Sequence, residues 1–111
     1  METICFKGWG NQSMQFARNV HFQIKPGKEK EFNTLFENEV IPMLRKQTGF
    51  QNEVTLVNPD GAIGVSLWND RKSAEMYNTS TYPQILEKLN PFIVGTPKVE
   101  TYDVTATTLR A

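Results

Sequence analysis

A predicted strand that ends at Trp68 carries the residues most suited to holding a flat ligand. Small side chains occupy alternate positions before the tryptophan, and alternate residues of a strand share one face. They are Ala62, Gly64 and Ser66. Such a row leaves room for an aromatic molecule stacked on the indole of Trp68. In the alternative interpretation Trp68 is a core residue, and Phe22 or Tyr77 fills the space.

His21 is the only histidine, the residue type that most often serves as a general acid or base. By alternation with Val20 and Phe22 it points away from the helices if those two residues face them. Asp103, on a predicted neighbouring strand, would form an acid/base couple with His21 if both faced the same way. The alternative is that His21 is a satisfied polar residue without a catalytic role.

Composition excludes several classes of function. The chain has 111 residues, and its twelve basic and twelve acidic side chains give no net charge, so nucleic acid is not an expected partner. One Cys and one His cannot form a zinc site, and no metal or cofactor is expected. No apolar run is long enough to span a membrane, the N-terminus lacks a secretory pattern, and a lone Cys5 suits a reducing compartment. We therefore expect a cytoplasmic protein.

The elements that position these residues follow from the hydrophobic periodicity. Two-residue alternation predicts strands, and spacings of three and four predict helices. The predicted order is strand 19–24, helix 28–47, strands 50–57 and 62–68 around a turn, a helical region from 71 to 89 that breaks near 80, and strand 98–107. We expect residues 1–16 to form an N-terminal arm and residues 17–109 to form one domain.

This βαββαβ order predicts an α+β, ferredoxin-like fold, with a four-stranded antiparallel sheet and both helices on one face. The first and third strands should lie side by side in the centre. The other face would then expose apolar residues such as Ile63, Val65 and Leu67. Because an apolar patch of that size marks an interface, we expect a homodimer formed through the sheet face.

Four landmarks in this order resemble those of the dimeric α+β barrel superfamily, in its antibiotic biosynthesis monooxygenase-type branch. They are Ile24 to Phe32, Thr48 to Phe50, Ser66 to Asp70 and Val99 to Tyr102. The resemblance covers about 90 of the 111 residues and implies a homodimer with a small pocket between sheet and helices in each subunit. It also implies a cofactor-independent oxidoreductase acting on an aromatic or quinone-like molecule.

The resemblance further implies site residues. Trp68 matches a tryptophan at the end of the family's strand, whereas Gly64 and Ala74 stand in place of an asparagine and a tyrosine. The predicted catalytic residues are Trp68, which the resemblance supplies, and His21 and Tyr77, which their residue types and positions suggest. The predicted ligand-binding residues are Phe22, Gly64, Ser66 and Asn78.

Two other functions remain open at this point. One is a non-catalytic dimeric protein that binds a similar ligand. The other is a haem-degrading oxygenase, a function also found in this branch. Haem-degrading relatives would place an iron-binding histidine near Asn78, where this sequence has none, so the third function is the least favoured.

Overall fold

The computed structural model describes residues 15–109. Its strands are β1 (Phe16–Ile24), β2 (Phe50–Asn58), β3 (Gly61–Trp68) and β4 (Ile93–Asp103). Its helices are α1 (Glu29–Leu35), α2 (Ile41–Arg45), α3 (Arg71–Ser80) and α4 (Tyr82–Leu89), with a π-helical turn at Phe36–Val40 and a 3₁₀ turn at Asn90–Phe92. Of the predicted arm, residues 1–14 lie outside the described residues, and Phe16 already belongs to β1.

The four strands form one antiparallel sheet in the order β2-β3-β1-β4. The α+β prediction is therefore confirmed, including the central position of the first and third strands. Along β1 the side chains of Phe16, Arg18, Val20 and Phe22 alternate toward the helices. Their partners on β3 are Trp68, Ser66, Gly64 and Ala62. These eight residues define the helix-covered face.

The opposite face of the sheet, the open face, carries no helix of the described chain. From β2 and β3 it presents the apolar side chains of Val54, Leu56, Ile63, Val65 and Leu67. Val54 is 47% exposed and Leu56 is 52% exposed. The β1 and β4 half is polar, with His21 beside Glu100.

The first helical region is less regular than the single helix predicted over 28–47. The π-helical turn separates α1 from α2 and ends two residues before Pro42. Proline donates no backbone hydrogen bond, and its ring crowds the preceding turn. The wider π-helical turn makes room for the proline ring. As a result, Phe36 and Val40 both reach the space above the sheet. Gly49, whose φ of 83° suits glycine, leads into β2.

The second helical region begins as the sequence predicts. The Asp70 side chain accepts a hydrogen bond from the Ser73 backbone N–H at 2.8 Å and caps α3. Thr81 separates α3 from α4, and its hydroxyl donates to Gln47 rather than capping α4. The last strand begins at Ile93, five residues earlier than predicted, because β4 pairs with β1 on both sides of an irregularity between His21 and Gln23.

The core lies between the helix-covered face and the helices. Trp68, Phe32, Ile85 and Val40 are its most deeply buried large side chains. Each comes from a different element, so their burial fixes the helices on the sheet. Within residues 15–109, no helix has the length and apolar composition needed to cross a membrane.

Candidate active site

Arg18 is a charged residue at the centre of the helix-covered face. It is 3% exposed because β1 lies between β3 and β4 and the helices cover it. Its Nη2 donates a hydrogen bond to Asn78 Oδ1 at 2.8 Å. The guanidinium lies 5.0 Å from the ring centre of Tyr77 and 4.5 Å from that of Tyr82. These rings stabilise the cation, although burial lowers the pKa of Arg18 from its ordinary value.

Glu53 reaches the same face through an irregularity in β2. Phe50 pairs with Trp68, but Asn52, not Gln51, pairs with Leu67. The extra residue shifts the alternation by one, so Glu53 lies opposite Ser66 on the helix-covered face. Without this bulge, Glu53 would point to the open face.

Burial raises the pKa of the Glu53 carboxyl to about 7. Two smaller influences oppose the effect: the Thr55 hydroxyl donates to Glu53 Oε2 at 2.8 Å, and Arg18 attracts the carboxylate. Among the described residues, no carboxylate oxygen lies within 4.0 Å of the Arg18 nitrogens. Glu53 therefore lies near Arg18 without forming a direct ion pair, and it exchanges a proton close to neutral pH.

These two groups line a cavity of about 40 Å³ between the sheet and the helices. Its polar and small lining residues are Arg18, Glu53, Gly64, Ser66, Tyr77 and Tyr82, and Phe22 and Phe36 close its apolar side. Gly64 lies so near the carboxyl that a Cβ atom there would be 3.2 Å from Glu53 Oε2. This volume has room for only a few water molecules, whereas a benzene-sized ligand needs roughly 150 Å³.

Trp68 packs beside this cavity and does not line it. The side chain is 0% exposed, and its Nε1 donates to Ser66 Oγ at 2.9 Å. Its ring lies 4.9 Å from that of Tyr77 and makes an edge contact with Phe50 at 5.5 Å. The small residues before Trp68 do leave space above the sheet, but the indole supports Tyr77 at the edge of that space.

His21 lies on the open face, as alternation with Val20 and Phe22 predicts. Its Nε2 is 3.3 Å from Glu100 Oε1. The suggested pairing with Asp103 is wrong, because Asp103 pairs with Phe16 across the sheet and is on the helix side. The Asp103 carboxylate lies 3.8 Å from Arg71 Nη2 instead. His21 lines a broad groove of about 570 Å³ with Leu56 and Ile63, remote from the buried charges.

The predicted site residues thus lie on two sides of the sheet. Phe22, Gly64, Ser66 and Tyr77 line one cavity, and Asn78 binds Arg18 from its exposed position on α3. His21 is separated from them by the sheet. Arg18 and Glu53 were missed.

One of the two missed residues left a signal in the sequence. Arg18 falls on the otherwise apolar face of β1, where a charge is unexpected. Glu53 left no such signal, because its orientation depends on the bulge.

Burial also raises the pKa of the Tyr77 and Tyr82 hydroxyls above their ordinary value, so both stay protonated at neutral pH. In residues 15–109, no three His, Cys, Asp or Glu side chains gather as metal ligands. The chemically active groups of the cavity are therefore one guanidinium, one titrating carboxyl and two phenols.

Comparison with family models and with curated proteins finds no match. Solved structures do match. One is SnoaB from Streptomyces nogalater, a cofactor-independent oxygenase, with 14% identity, a TM-score of 0.71, and 88% of this chain and 100% of that chain covered. Another is the monooxygenase ActVA-Orf6 of Streptomyces coelicolor in complex with nanaomycin D, with 18% identity, a TM-score of 0.70, and coverage of 88% and 94%.

A protein of unknown function from Nitrosomonas europaea matches equally well, with 19% identity, a TM-score of 0.71, and 88% of this chain and 96% of that chain covered. At these identities the matches establish the fold and not the reaction. The chain therefore has the α+β fold of the antibiotic biosynthesis monooxygenase-type proteins.

Proposed function

We propose that the protein is a cofactor-independent monooxygenase-type enzyme that oxidises a small hydroxylated aromatic or quinone-like molecule. The observation that carries this proposal is the placement of Glu53 and Arg18 in one buried cavity. Glu53 titrates near pH 7, which is the property of an effective general base. Arg18 is a fixed cation that stabilises the anion formed by proton removal.

The proposed reaction begins when ionised Glu53 takes the hydroxyl proton of the substrate. The resulting anion is electron-rich at the ring carbon opposite its oxygen. The anion transfers an electron to dioxygen, and this carbon then forms a bond to the reduced oxygen. Protonated Glu53 returns its proton to the peroxide. The distal OH group of the peroxide and the hydrogen on the same ring carbon then leave as water. That carbon becomes a carbonyl. For a naphthol, the overall reaction is naphthol plus O₂ giving naphthoquinone plus water.

Entry of such a substrate requires the cavity to widen. Phe36 is a half-buried residue of the cavity lining, and it begins the π-helical turn, where the backbone is irregular. Turns of this kind occur frequently at functional sites. We assign to Tyr77, held by Trp68, the role of packing against the bound ring, and to Asn78 the role of orienting Arg18. His21 has no part in this reaction.

Oxygen consumption with 1-naphthol as the probe, together with quinone formation by absorbance, tests the proposal. Glu53→Gln should reduce turnover by about 10²-fold or more, as loss of a general base does. Arg18→Met should reduce it similarly. The matched controls are Arg71→Met and Glu75→Gln, which change exposed side chains on α3 and should retain activity. Turnover no faster than oxidation in buffer, or unaffected by either cavity substitution, would contradict the proposal.

The alternative function is a non-catalytic ligand-binding protein, because Arg18 and Tyr77 could bind an aromatic anion without any reaction with dioxygen. Either function requires the cavity of about 40 Å³ to widen when a ring enters. The same experiment separates the two functions. Saturable binding of naphthol, without consumption of oxygen above that in buffer, would support the binding protein.

We also propose that the protein forms a homodimer through the open face. The exposed apolar side chains of β2 and the partly buried ones of β3 form a contiguous patch that another copy would cover. Leu56→Asp should shift the mass in light scattering from dimer to monomer. Val57→Asp is the matched control, because Val57 is 46% exposed but lies on the other side of the same strand. A monomeric wild-type protein would overturn this proposal.

A further inference from the structure

The charges in the cavity specify what kind of ligand it accepts. Arg18 is almost fully buried; within the described residues it donates a hydrogen bond to Asn78 Oδ1, and it also has a hydrogen-bond interaction with the Tyr82 hydroxyl. A guanidinium has five N–H donors, so these two partners leave donors that an anion can accept from. Burial of a cation is costly unless a negative charge or strong acceptors accompany it. The cavity beside Arg18 thus favours one negative charge.

Glu53 supplies that charge only while the cavity is empty. Its carboxyl lies in the same cavity, close to Gly64 and hydrogen-bonded to Thr55. A second anion placed between Arg18 and Glu53 would repel the carboxylate. Protonation of Glu53 removes this repulsion and turns the carboxyl into a hydrogen-bond donor.

We infer that the cavity is a site for one organic anion, an aromatic carboxylate or phenolate, which binds to Arg18 while Glu53 becomes protonated. This inference deepens the proposed function by naming the charge and class of its ligand, and it rests on the same site. In the proposed reaction, a neutral substrate reaches the same bound state when it transfers its proton to Glu53. Either route leaves one anion and one neutral carboxyl beside Arg18.

Among residues 15–109, no other charged side chain lines the cavity. From the sheet, β1 contributes Arg18, β2 contributes Glu53, and β3 contributes only small residues. From the helices, α3 contributes Tyr77 and α4 contributes Tyr82, while the π-helical turn contributes apolar side chains. Both tyrosines stay protonated at neutral pH, so Glu53 is the group that titrates. The near-neutral pKa of Glu53 supports this assignment.

Benzoate and benzamide are the probes for this inference, because they have nearly the same shape but only benzoate is charged at neutral pH. Calorimetric titration at about pH 6 should show benzoate binding at least about tenfold tighter than benzamide, as charge-assisted hydrogen bonds predict. Repeating the titration in buffers of different ionisation enthalpy should show uptake of about one proton above pH 7. Affinity for benzoate should fall about tenfold for each pH unit above 7.

Variants assign these effects to residues. Glu53→Gln should retain benzoate binding but lose both the proton uptake and the pH dependence. Arg18→Met should weaken benzoate binding at least about tenfold, and Arg71→Met should not change it. If Arg18→Met fails to fold, the benzamide comparison and Glu53→Gln still decide the question. Equal affinity for the two probes, no benzoate binding, or an unchanged pH profile in Glu53→Gln would overturn the inference.

The outcomes also separate this inference from the proposed function. Benzoate binding with proton uptake, combined with no oxidation of naphthol, would support the anion site and refute the oxygenase. Oxidation of naphthol that depends on Glu53, combined with no preference for benzoate over benzamide, would support the enzyme and refute the anion site.

Discussion

Replacing Glu53 by glutamine should stabilise the folded protein at alkaline pH. The carboxyl has an ordinary pKa of 4.5, and burial raises it to about 7 in the folded state. Between these values the unfolded chain releases the proton while the folded chain keeps it, so the stability of the wild-type protein falls as pH rises. Each pH unit of difference corresponds to about 1.4 kcal/mol.

The loss should amount to about 3 kcal/mol once the pH exceeds the folded-state pKa. Below the pKa of the unfolded state, the carboxyl is protonated in both states. Its ionisation then does not lower the free energy of unfolding. Glutamine resembles the protonated carboxyl at every pH. Glu53→Gln and the wild type should therefore be equally stable, within about 1 kcal/mol, near pH 4.5, and the variant should be more stable near pH 8.5.

Urea unfolding at several pH values, at one fixed protein concentration, measures this difference. Glu75→Gln is the control, because Glu75 is exposed on α3 and its replacement should leave the pH profile unchanged. A Glu53→Gln variant that was less stable than the wild type at pH 8.5 would refute the reasoning. That result would mean that the ionised carboxylate stabilises the folded state through Arg18.

Three further predictions follow from the packing. Trp68→Ala should lower the free energy of unfolding by about 3 to 5 kcal/mol in chemical denaturation, as buried aromatic truncations do; a loss below about 1 kcal/mol would show that the indole is not core. Asp70→Ala should cost about 1 kcal/mol through loss of the α3 cap, and Asp70→Asn should cost less. Haemin titration should give no one-to-one shift of the Soret band, because His21, the only histidine, lies across the sheet from the cavity; a saturating shift lost in His21→Ala would contradict this.

Elements with a clear period could be predicted from the sequence. The alternation from Asn19 to Ile24 and the turn between β2 and β3 are local patterns, and local patterns specify local structure. The Asp70 cap was predictable for the same reason. The strand order then followed from general rules of connection.

The candidate site was less predictable because it depends on two departures from regularity. The bulge at Gln51 reverses the orientation of every later residue of β2, and the period of the strand does not reveal it. The π-helical turn directs Phe36 and Val40 to the cavity, whereas the sequence predicted one continuous helix over 28–47. The relative phase of neighbouring strands is not encoded in the period of either strand, so the sequence could not show that Asp103 and His21 lie on opposite faces of the sheet.

The position of Arg18 on a central strand also has an evolutionary consequence. Two buried charged side chains are seldom the most stable way to fill a cavity, and well-packed apolar residues of similar size often give a more stable fold. Joint replacement of Arg18 and Glu53 by well-packed apolar residues would therefore gain stability while losing the binding of charge. Among homologues that retain this fold, selection for function would keep both charges together, and relaxed selection would replace both with apolar residues.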